Sequence, residues 1–491
     1  MDGLKIAFVT PESVPFAKTG GLADVSGALP KSLIGLGHTV WLFMPKYKLV
    51  SETLINLRPV DIGFAVGIGD KSFDGELYQW SDPESGLEVC FIGNDYFFDR
   101  GELYRNPKTG KDYKDNDKRF IFFCRAVIKA CRELGWKPDV IHANDWQSAL
   151  VPTYLKILPE DGLHFNKTHT VFTIHNMGYQ GLFPAEEFPG LGVDEAHFYP
   201  EGPFEFWGDV NFMKSGVFFA DRITTVSPTY AKEIQQSDEF GKGLQGVLKQ
   251  RSENLSGILN GVDYDQWSPE HDNLIPSRYN INNLSGKKKN KLELLHKCGL
   301  PIRMEHPLIG MISRLDIQKG FDLLEEIMDE IMSLNVQFVL LGTGDEKYHD
   351  FFALVEKKYP DRFKAFLMFD NKLAHLIEAG CDMFLMPSHY EPCGLNQMYS
   401  LKYGTVPIVR KTGGLADSVI DFDEDNRKGT GFVFEKYHAS ELLAAIKRAV
   451  DLFPRKRIWY RIIKQGMRQD FSWDKSAQKY SDLYYRLTDE R

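Results

Sequence analysis

The amino-acid sequence predicts an α/β protein made of two Rossmann-like domains, each built on a doubly wound parallel sheet. A length of 491 residues exceeds what one hydrophobic core usually serves and suits two domains. Short apolar, β-branched runs alternate with longer amphipathic runs along nearly the whole chain, which is typical of parallel strands joined by helices. These runs form two successive series, and each series predicts one domain.

The first series contains five candidate strands, at residues 6–10, 40–44, 140–143, 170–174 and 223–227. The second series contains five more, at residues 308–313, 337–342, 363–369, 383–388 and 406–410. Apolar residues at helical spacing fill the intervals, for example over residues 321–332. Residues 51–86 break the alternation, and we expect them to form an insertion on the first domain.

The domain boundary is predicted at the turn-rich sequence LNGVD, residues 259–263. The first domain is therefore expected to span residues 1–259 and the second residues 260–472. The remaining segment, residues 473–491, continues a mostly helical, aromatic-rich pattern that begins after Pro454.

Composition excludes several classes of protein. A formal net charge of −9 provides no electrostatic footprint for nucleic acid, and no apolar run has the length of a membrane span. The six cysteines form no CxxC pair, which favours a reducing compartment. The first strand pattern begins at once, so we expect a cytoplasmic protein, or a plastid stromal one whose transit peptide has been removed. The lysine-dense residues 287–291 are interpreted as the solvated start of a helix.

One heptapeptide, KTGGLAD, occurs twice, at residues 18–24 and 411–417. Each copy follows a strand pattern and opens a helix pattern. Paired glycines let backbone N–H groups approach a ligand, and a helix N-terminus stabilises a phosphate. On these residues alone, a tight strand–helix turn with an incidental lysine is an equal alternative.

The glycine loops do not fit a dinucleotide site. The first loop lacks the G-x-G-x-x-G pattern, and the second strand ends beside Lys46 rather than an acidic residue. The corner at Gly342 and Gly344 has Lys347 where a third glycine is required. Both loops therefore argue against a dehydrogenase.

Three further strand-end segments carry chemistry, because loops at the carboxyl ends of parallel strands line the ligand crevice. Arg314 and Lys319 lie on one loop and suit a diphosphate, although solvated surface cations are the alternative. Glu391 precedes a helix, where its carboxylate grips sugar hydroxyls or merely complements the helix dipole. Cys393 has no histidine partner in its motif and is interpreted as a small packed residue.

Two more strand ends carry His175 and the pair Asp145 and Trp146. A carboxylate beside an aromatic surface suits carbohydrate, and a capped helix start is the alternative. A lone histidine is more often structural than catalytic. Neither segment has metal-ligand spacing, so no metal and no cofactor is expected.

Together these segments resemble the bacterial and plant glycogen (starch) synthases, which are glycosyltransferases of the GT-B fold. The resemblance covers residues 6–473 and rests on an ordered set of motifs: KTGGLADV, TIHNMGYQG, VSPTYAKEI, NGVDYDQWSP, SRLDIQKG, EPCGLNQ and the second KTGGLAD. It implies two Rossmann-like domains facing across a deep cleft. It also implies that the terminal helix, residues 473–491, packs back on the first domain, although a glucan-binding surface or an oligomer contact is an alternative.

The resemblance implies roles for individual residues. The catalytic set is Lys18, His175, Arg314, Lys319 and Glu391. The donor-binding set is Gly20, Gly21, Asn260, Phe369, Cys393, Gly394, Leu395, Thr412, Gly413 and Gly414. The acceptor and glucose side is Asp24, Asp145, Trp146, Asn176 and Tyr179. Within these sets Arg314 and Lys319 resemble the cations that neutralise a departing diphosphate, and Glu391 resembles the family's essential glutamate at the glucosyl unit.

The implied activity is retaining transfer of glucose from ADP-glucose to the nonreducing end of an α-1,4-glucan, either glycogen or a malto-oligosaccharide. No cofactor is implied, and protein cations make a divalent metal dispensable. The preference for ADP-glucose over UDP-glucose follows from family type alone, and the sequence leaves oligomeric state and regulation open.

Four positions depart from the family pattern. Phe369 stands where a base-stacking tyrosine is expected, Gln147 where a histidine often follows, His389 where a cation often precedes the glutamate, and Ala23 where glycine is frequent. None of them belongs to the implied charged set.

Three alternatives remain open. A transferase with another acceptor, forming sucrose or trehalose, shares the two-domain fold but is not expected to carry KTGGLAD at the first corner. A glucan phosphorylase needs a pyridoxal-phosphate lysine motif that is not found. A catalytically dead glucan-binding scaffold is expected to have lost Lys18, Arg314, Lys319 or Glu391, and all four are present.

Overall fold

The computed structural model describes residues 3–53, 56–158 and 164–489. The chain divides into two compact units. Unit 1 comprises Met1–Val226, Ala231–Gly261 and Trp473–Arg491, and unit 2 comprises Ser227–Tyr230 and Val262–Ser472. Within the described ranges no helix combines the length and apolar composition that crossing a membrane requires.

The strands of unit 1 are β1 Lys5–Val9, β2 Thr39–Pro45, β3 Arg58–Ile68, β4 Lys71–Ser81, β5 Glu88–Gly93, β6 Val140–Asn144, β7 His169–Ile174, β8 Leu182–Phe183, β9 Glu205–Phe206, β10 Asp209–Asn211, β11 Arg222–Thr225 and β12 Leu255–Gly257. The helices up to residue 250 are α1 Gly21–Gly35, α2 Lys48–Thr53, α3 Asp95–Phe98, α4 Asn116–Glu133, α5 Leu150–Ile157, α6 Phe212–Phe219, α7 Pro228–Glu233, α8 Asp238–Gly241 and α9 Gln245–Gln250. Short 3₁₀ helices lie at Ala185–Leu191, Glu195–His197 and Ser252–Asn254.

The main sheet of unit 1 has the strand order β12-β11-β7-β6-β1-β2-β5-β4-β3. Pairing is parallel from β12 to β5, and β4 and β3 extend the edge in antiparallel fashion. All five residues of β6 are buried, whereas β3 and β4 alternate between buried and exposed positions. This alternation is typical of an antiparallel edge with one solvated face. It explains why residues 51–86 broke the predicted pattern, although residues 54 and 55 lie outside the described ranges.

The strands of unit 2 are β13 Leu308–Ile312, β14 Gln337–Leu341, β15 Phe363–Phe366, β16 Met383–Met386, β17 Val406–Arg410 and β18 Phe432–Phe434. Its helices are α10 Ser285–Cys298, α11 Phe321–Ser333, α12 Glu346–Lys358, α13 Asn371–Gly380, α14 Asn396–Tyr403, α15 Gly413–Ser418, α16 Ala439–Leu452 and α17 Lys456–Met467, with a 3₁₀ turn at Ile317–Lys319. The sheet is parallel throughout, in the order β15-β14-β13-β16-β17-β18.

Unit 2 buries both faces of its sheet. Along β14, Phe338 and Leu340 belong to one hydrophobic cluster, while Val339 and Leu341 belong to another on the opposite face. Successive strand side chains point to opposite faces, so two layers of helices must cover this sheet. The predicted fold class, parallel doubly wound sheets in two domains, is confirmed.

The C-terminal helix α18, Trp473–Asp489, belongs to unit 1 and packs on α1. The Tyr484 hydroxyl lies 2.7 Å from Nδ1 of the buried His142, and Ser481 Oγ lies 2.8 Å from Nε2 of His38. A Cβ on Gly261 would meet the Trp473 backbone at 2.6 Å, so only glycine lets the chain pass this helix. The aromatic residues of α18 therefore serve the core of unit 1.

The interpretation of residues 287–291 as a solvated helix start is wrong for two of the lysines. Lys287 donates from Nζ to Thr405 Oγ1 at 2.6 Å, and Lys291 donates to Asp382 Oδ2 at 2.7 Å. Both lysines belong to α10, and both side chains are buried. Burial lowers the pKa of Lys287 to about 8. The partners lie about a hundred residues away, so local sequence could not reveal them.

Candidate active site

The candidate site of unit 1 lies at its topological switch point. The chain runs from β1 to β2 on one side of β1, and β6 and β7 lie on the other. Ligands of open α/β sheets bind outside the carboxyl ends of strands at such a point. The segments following β1, β6 and β7 carry Lys18, Asp145 and His175 respectively, so the topology brings three predicted residues to one edge.

The first glycine loop is hydrogen-bonded to the carboxylate of Glu12, whose side chain is buried at 5% exposure. One Glu12 oxygen accepts hydrogen bonds from the N–H of Thr19 at 2.5 Å and of Gly20 at 3.3 Å. The Thr19 hydroxyl also donates to this carboxylate. Burial raises the pKa of Glu12 despite these bonds. The loop is therefore fixed before any ligand binds.

Neither glycine of this loop is required by the protein's own packing. Gly20 has an extended φ of −150°, and a Cβ on Gly20 or Gly21 would meet nothing within 4 Å. Among the described residues, no neighbour would therefore clash with a side chain at either position. Open space in front of a loop at the start of α1 is suited to a ligand that approaches the backbone closely.

Lys18 and Asp24 pair with each other in the first copy of the repeat. Lys18 Nζ lies 2.6 Å from Asp24 Oδ1, and the lysine side chain is half exposed. Exposed pairs of this kind contribute little to stability. A phosphate could therefore take over the lysine at small cost.

Asp145 occupies a left-handed backbone conformation, with φ of +55°. Its Oδ1 accepts the backbone N–H of His175 at 2.7 Å, so it caps that loop rather than a helix. Burial raises the pKa of Asp145 to about 7, and the nearby charge of Glu12 acts in the same direction. Non-glycine residues in this conformation are uncommon and concentrate at functional sites.

We expect Asp145→Asn to flatten the pH dependence of stability. Because the folded carboxyl titrates near pH 7 and an unfolded aspartate near pH 3.9, the folded state retains a proton between these values that the unfolded state has lost. The wild-type free energy of unfolding should therefore fall as pH rises through this window. Asparagine keeps the acceptor for His175 and removes the titration. Urea unfolding at pH 5, 6, 7 and 8 measures the difference, and parallel profiles for the two proteins would contradict it.

His175 is a neutral imidazole with a fixed tautomer. Burial lowers its pKa to about 3. Asn144 donates from Nδ2 to the carbonyls of Val9 and His142, so its Oδ1 accepts, and Oδ1 lies 3.0 Å from His175 Nε2. The proton therefore sits on Nε2, and Nδ1 is left as an acceptor. An acceptor nitrogen at a strand end suits the hydroxyl of a sugar.

Trp146 does not offer the aromatic surface that the sequence predicted. Its ring is 9% exposed and packs among Phe120, Phe183 and Phe212. An aromatic residue after a strand can equally fill the core, and the contact of Trp146 with a sugar stays a prediction. By contrast, Tyr179 is 46% exposed.

The remaining predicted acceptor-side residue of the His175 loop is Asn176. It is partly buried, and its Oδ1 accepts the Gly178 N–H at 2.9 Å. Asn260, at the end of unit 1, is 7% exposed, and its Oδ1 has no hydrogen-bond partner among the described residues. A buried acceptor without a partner is costly, so a ligand hydroxyl is a reasonable complement.

The candidate site of unit 2 lies at the switch point between β13 and β16. Lys319 follows β13 and Glu391 follows β16. Lys319 Nζ donates to Glu391 Oε2 at 2.7 Å, and the Ser388 hydroxyl donates to the same oxygen at 2.9 Å. The two charged side chains are 17% and 7% exposed. Two residues separated by 72 positions are thus brought into one nearly buried pair.

Arg314 lies on the same loop as Lys319 but is more open. Its guanidinium side chain is 56% exposed and lies 3.6 Å from Asp316. An exposed, planar cation on the same loop as a nearly buried lysine suits a ligand with several anionic oxygens. The ring of Phe369, on the loop after β15, is 82% exposed and offers a free face for stacking.

The second glycine loop differs from the first in what its glycines do. Gly413 has a φ of +43°, and a Cβ there would meet the Glu391 carbonyl oxygen at 1.9 Å. A Cβ on Gly414 would meet the Cys393 carbonyl oxygen at 2.1 Å, and the Gly414 N–H donates to the Glu391 carbonyl at 3.1 Å. Here the glycines let α15 support the loop that carries Glu391. Their contact with a donor stays a prediction.

The charged ends of the second repeat also have other partners. Lys411 pairs with Glu435 at 2.5 Å, and the Asp417 carboxylate accepts the N–H and the hydroxyl of Thr229. Thr412 is fully buried at the start of α15. Identical heptapeptides therefore have different surroundings in the two units.

The loop after Glu391 leads directly into α14. Cys393 is 5% exposed, in keeping with its interpretation as a packed residue. Gly394 has a φ of +71°, and a Cβ there would crowd Gln397 at 2.6 Å. Leu395 immediately precedes the helix. Glycine is thus required at Gly394 by the backbone itself.

Of the departures from the family pattern, His389 lies beside the charged pair, because it shortly precedes Glu391 and its N–H donates to the carbonyl of Gln318, the neighbour of Lys319, at 2.8 Å. Gln147 is 6% exposed, the His389 ring packs 4.4 Å from that of Tyr437, and Ala23 is fully buried in α1. Phe369 lacks a hydroxyl but keeps its exposed ring.

Three site residues were missed by sequence reasoning: Glu12, Asn144 and Ser388. Each stands at or just after the end of a parallel strand, as the predicted residues do. Applying the strand-end rule to every polar residue would have found them. They hold other site groups in place rather than standing open to solvent.

The two switch points carry different kinds of binding group. Unit 2 provides two cations and an exposed ring, which fit a diphosphate joined to an aromatic base. Unit 1 provides an open glycine loop, a lysine, an acceptor nitrogen and carboxylates, which fit phosphate and sugar hydroxyls.

Two protein-family models match the chain. Residues 5–250 match the starch synthase catalytic domain, and residues 296–465 match the glycosyl transferases group 1. Together these matches cover most of both units.

Relatives that match over their full length agree with the family models. The chain is 45% identical over 488 residues to glycogen synthase of Thermotoga petrophila, covering 98% of each protein. It is 46% identical over 495 residues to glycogen synthase of Thermosipho africanus, covering 99% of this chain and 100% of the relative.

Two solved structures share the fold. The catalytic domain of starch synthase IV from Arabidopsis thaliana, bound to ADP and acarbose, has a TM-score of 0.89 and 34% identity, covering 99% of this chain and all of that one. Sucrose-phosphate synthase from Thermosynechococcus elongatus has a TM-score of 0.61 and 18% identity, covering 99% of this chain and 100% of that one. At this identity the likeness shows the fold alone.

Proposed function

Because this chain belongs to the glycogen and starch synthase family of glycosyltransferases, we propose that its donor is ADP-glucose. It transfers glucose to the nonreducing 4-hydroxyl of an α-1,4-glucan with retention of configuration at the anomeric carbon. The activity of a glucosyltransferase in glycogen or starch synthesis follows from the family. The donor nucleotide, the stereochemistry and the residue roles are the proposal.

The observation that carries the proposal is the pair of Lys319 and Glu391 at the switch point of unit 2, with Arg314 on the same loop. As the bond from the anomeric carbon to the phosphate oxygen breaks, its electron pair moves to the diphosphate. Lys319 and Arg314 stabilise this negative charge with donors that are already in place. The 4-hydroxyl oxygen of the glucan bonds to the anomeric carbon, and its proton passes to the departing phosphate oxygen.

Glu391 acts on the other charge of the reaction. Positive charge grows on the glucose ring as the bond to phosphate stretches. A nearly buried carboxylate that remains bound to Lys319 and Ser388 can stabilise that ring charge without reorganising. No covalent nucleophile is assigned, and attack on the face from which the diphosphate departs accounts for retention.

The groups of unit 1 bind and orient the glucose. Lys18 and the open backbone of Gly20 and Gly21 suit the phosphates. Neutral His175 accepts a hydroxyl proton at Nδ1, and Asp145 fixes the loop on which it lies. When the bound donor displaces water from these groups, no water is left there to hydrolyse the donor.

The choice of adenine over uracil is supported by two observations. The exposed ring of Phe369 offers a stacking face, on which a purine gains more contact than a pyrimidine. The solved starch synthase IV structure contains ADP.

The six free, buried thiols favour a reducing compartment such as the cytoplasm.

We expect glucose incorporation into glycogen from ADP-glucose with a kcat/KM at least about tenfold above that from UDP-glucose, because a difference in stacking and base contacts of about 1.4 kcal/mol gives that ratio. Labelled donors in parallel assays measure it. Equal or reversed preference would leave the reaction and overturn the donor assignment. A folded protein that extends no glucan from either donor would contradict the proposed activity itself.

A further inference from the structure

The hairpin of β9 and β10 carries an unusual turn. The two-residue loop is Trp207 and Gly208, with φ of +55° and +93°. These values match a type I′ turn, which needs positive φ at both positions and prefers Asn-Gly. A bulky residue at the first position is a genuine outlier.

The indole of Trp207 is also left in solvent. It is 87% exposed, more than any other large apolar side chain of the described residues. Its ring contact with Phe206 is distant, at 6.5 Å between centroids. Both the backbone conformation and the exposure of the indole are unfavourable for folding. Such an outlier is evidence of a function.

The turn is nevertheless held firmly to the candidate site. Strand β10 pairs with β8, which follows the loop of His175 and Tyr179. Buried Gln180 donates to the Lys242 carbonyl at 2.9 Å and accepts from Asn211 at 2.6 Å. Gly243, with φ of +88°, lies under the turn, where a Cβ would meet the Phe206 ring at 2.5 Å. The exposed ring is thus presented by a rigid support.

We propose that Trp207 is a stacking platform for one glucose ring of a glucan chain, bound outside the reacting end. The inference rests on the proposed function, because it takes the polymer acceptor as its ligand. The C–H face of a glucopyranose ring is apolar and packs on an indole, which supplies rigid contact area at little entropic cost. A second contact on a polymer raises its apparent affinity without altering the reacting subsites.

The surroundings of the ring favour a sugar over a protein or an anion. Glu201 and Asp209 are exposed beside the turn, and their carboxylates can accept sugar hydroxyls while repelling nucleic acid. Phe206, the sequence neighbour of Trp207, is only partly exposed and adds little apolar surface beside the indole. A stable protein interface needs roughly 800 Å² on each partner.

Trp207→Asn tests the proposal, because asparagine suits the turn better than tryptophan and should not impair folding. We expect the KM for glycogen to rise about tenfold, as for the loss of an aromatic contact, while the KM for maltotriose and for ADP-glucose stays within about twofold. Mobility in native gels containing glycogen should increase, and Trp207→Tyr should restore much of the retardation. Leu354→Gln, which removes an exposed apolar residue of α12 in unit 2, is the matched control.

Each outcome decides the matter. Unchanged glycogen KM and gel mobility for Trp207→Asn would overturn the platform, and so would a wild-type protein that glycogen does not retard. Equal rises in the KM for maltotriose and glycogen would place Trp207 in the reacting subsites and also overturn it. Glycogen retardation that depends on Trp207, in a wild-type protein without incorporation from either donor, would keep the platform and reject the proposed function.

Discussion

Replacing Glu391 by glutamine is expected to lower kcat by about a thousandfold, the scale of losing one preorganised group at a transition state. Glutamine keeps the size and one acceptor oxygen but removes the charge. The growing positive charge of the glucose ring then loses its carboxylate, and Lys319 loses its counter-charge at 2.7 Å. Steady-state incorporation at saturating donor measures kcat, and circular dichroism with thermal unfolding shows whether the variant is folded.

The chain offers a matched control for this variant. Glu435 forms the same type of pair with Lys411, at 2.5 Å, but the side chains are 71% and 57% exposed. Exposed pairs are worth about 0–1 kcal/mol, so Glu435→Gln should keep kcat within about twofold. A comparable loss in both variants, or a Glu391→Gln protein within tenfold of wild type, would reject the assigned role.

The second large effect concerns the two copies of KTGGLAD. We expect Gly413→Ala and Gly414→Ala each to lower the free energy of unfolding of unit 2 by about 3 kcal/mol or more, because both substitutions overpack the loop and Gly413 also has a positive φ that alanine adopts only under strain. Each added Cβ would lie about 2 Å from a backbone oxygen of the Glu391 loop, which cannot yield as a side chain could. Thermal unfolding followed by calorimetry measures the loss.

The equivalent changes in the first copy should behave in the opposite way. Gly20→Ala and Gly21→Ala meet open space and require no positive φ, so the unfolding temperature should stay close to that of the wild type. Activity should fall about a hundredfold, because the methyl group occupies the approach of a ligand to the backbone donors. Stable and fully active variants of Gly20 and Gly21 would show that the open space is not a binding surface.

The sequence was most informative where strands are buried on both faces. All ten predicted strands occur, with ends that differ by a few residues, because parallel strands such as β6 and β14 are continuous apolar runs. The strand-end rule then located Arg314, Lys319 and Glu391. The short strands β8, β9, β10, β12 and β18 were missed, since two or three residues leave no periodicity to detect. The buried parallel strand β5 was missed as well.

What the sequence could not predict depends on residues far apart in the chain. The burial of Lys287 and Lys291 requires Thr405 and Asp382 as partners. The burial of Trp146 requires a ring cluster assembled from three other segments. The two KTGGLAD copies are identical locally, and only the Glu391 loop packed against the second distinguishes their glycines.

The position of α18 has a consequence for how the chain is made. Unit 1 is completed by a helix that follows all of unit 2, and roughly 200 residues separate its last earlier segment from Trp473. At a synthesis rate of about 5–20 residues per second, that interval lasts about 10–40 s. During this time the surface that will receive Tyr480 and Tyr484 is uncovered on the ribosome-bound chain. Unit 2 can therefore finish folding before unit 1, and the part translated first keeps apolar surface uncovered for the longest time.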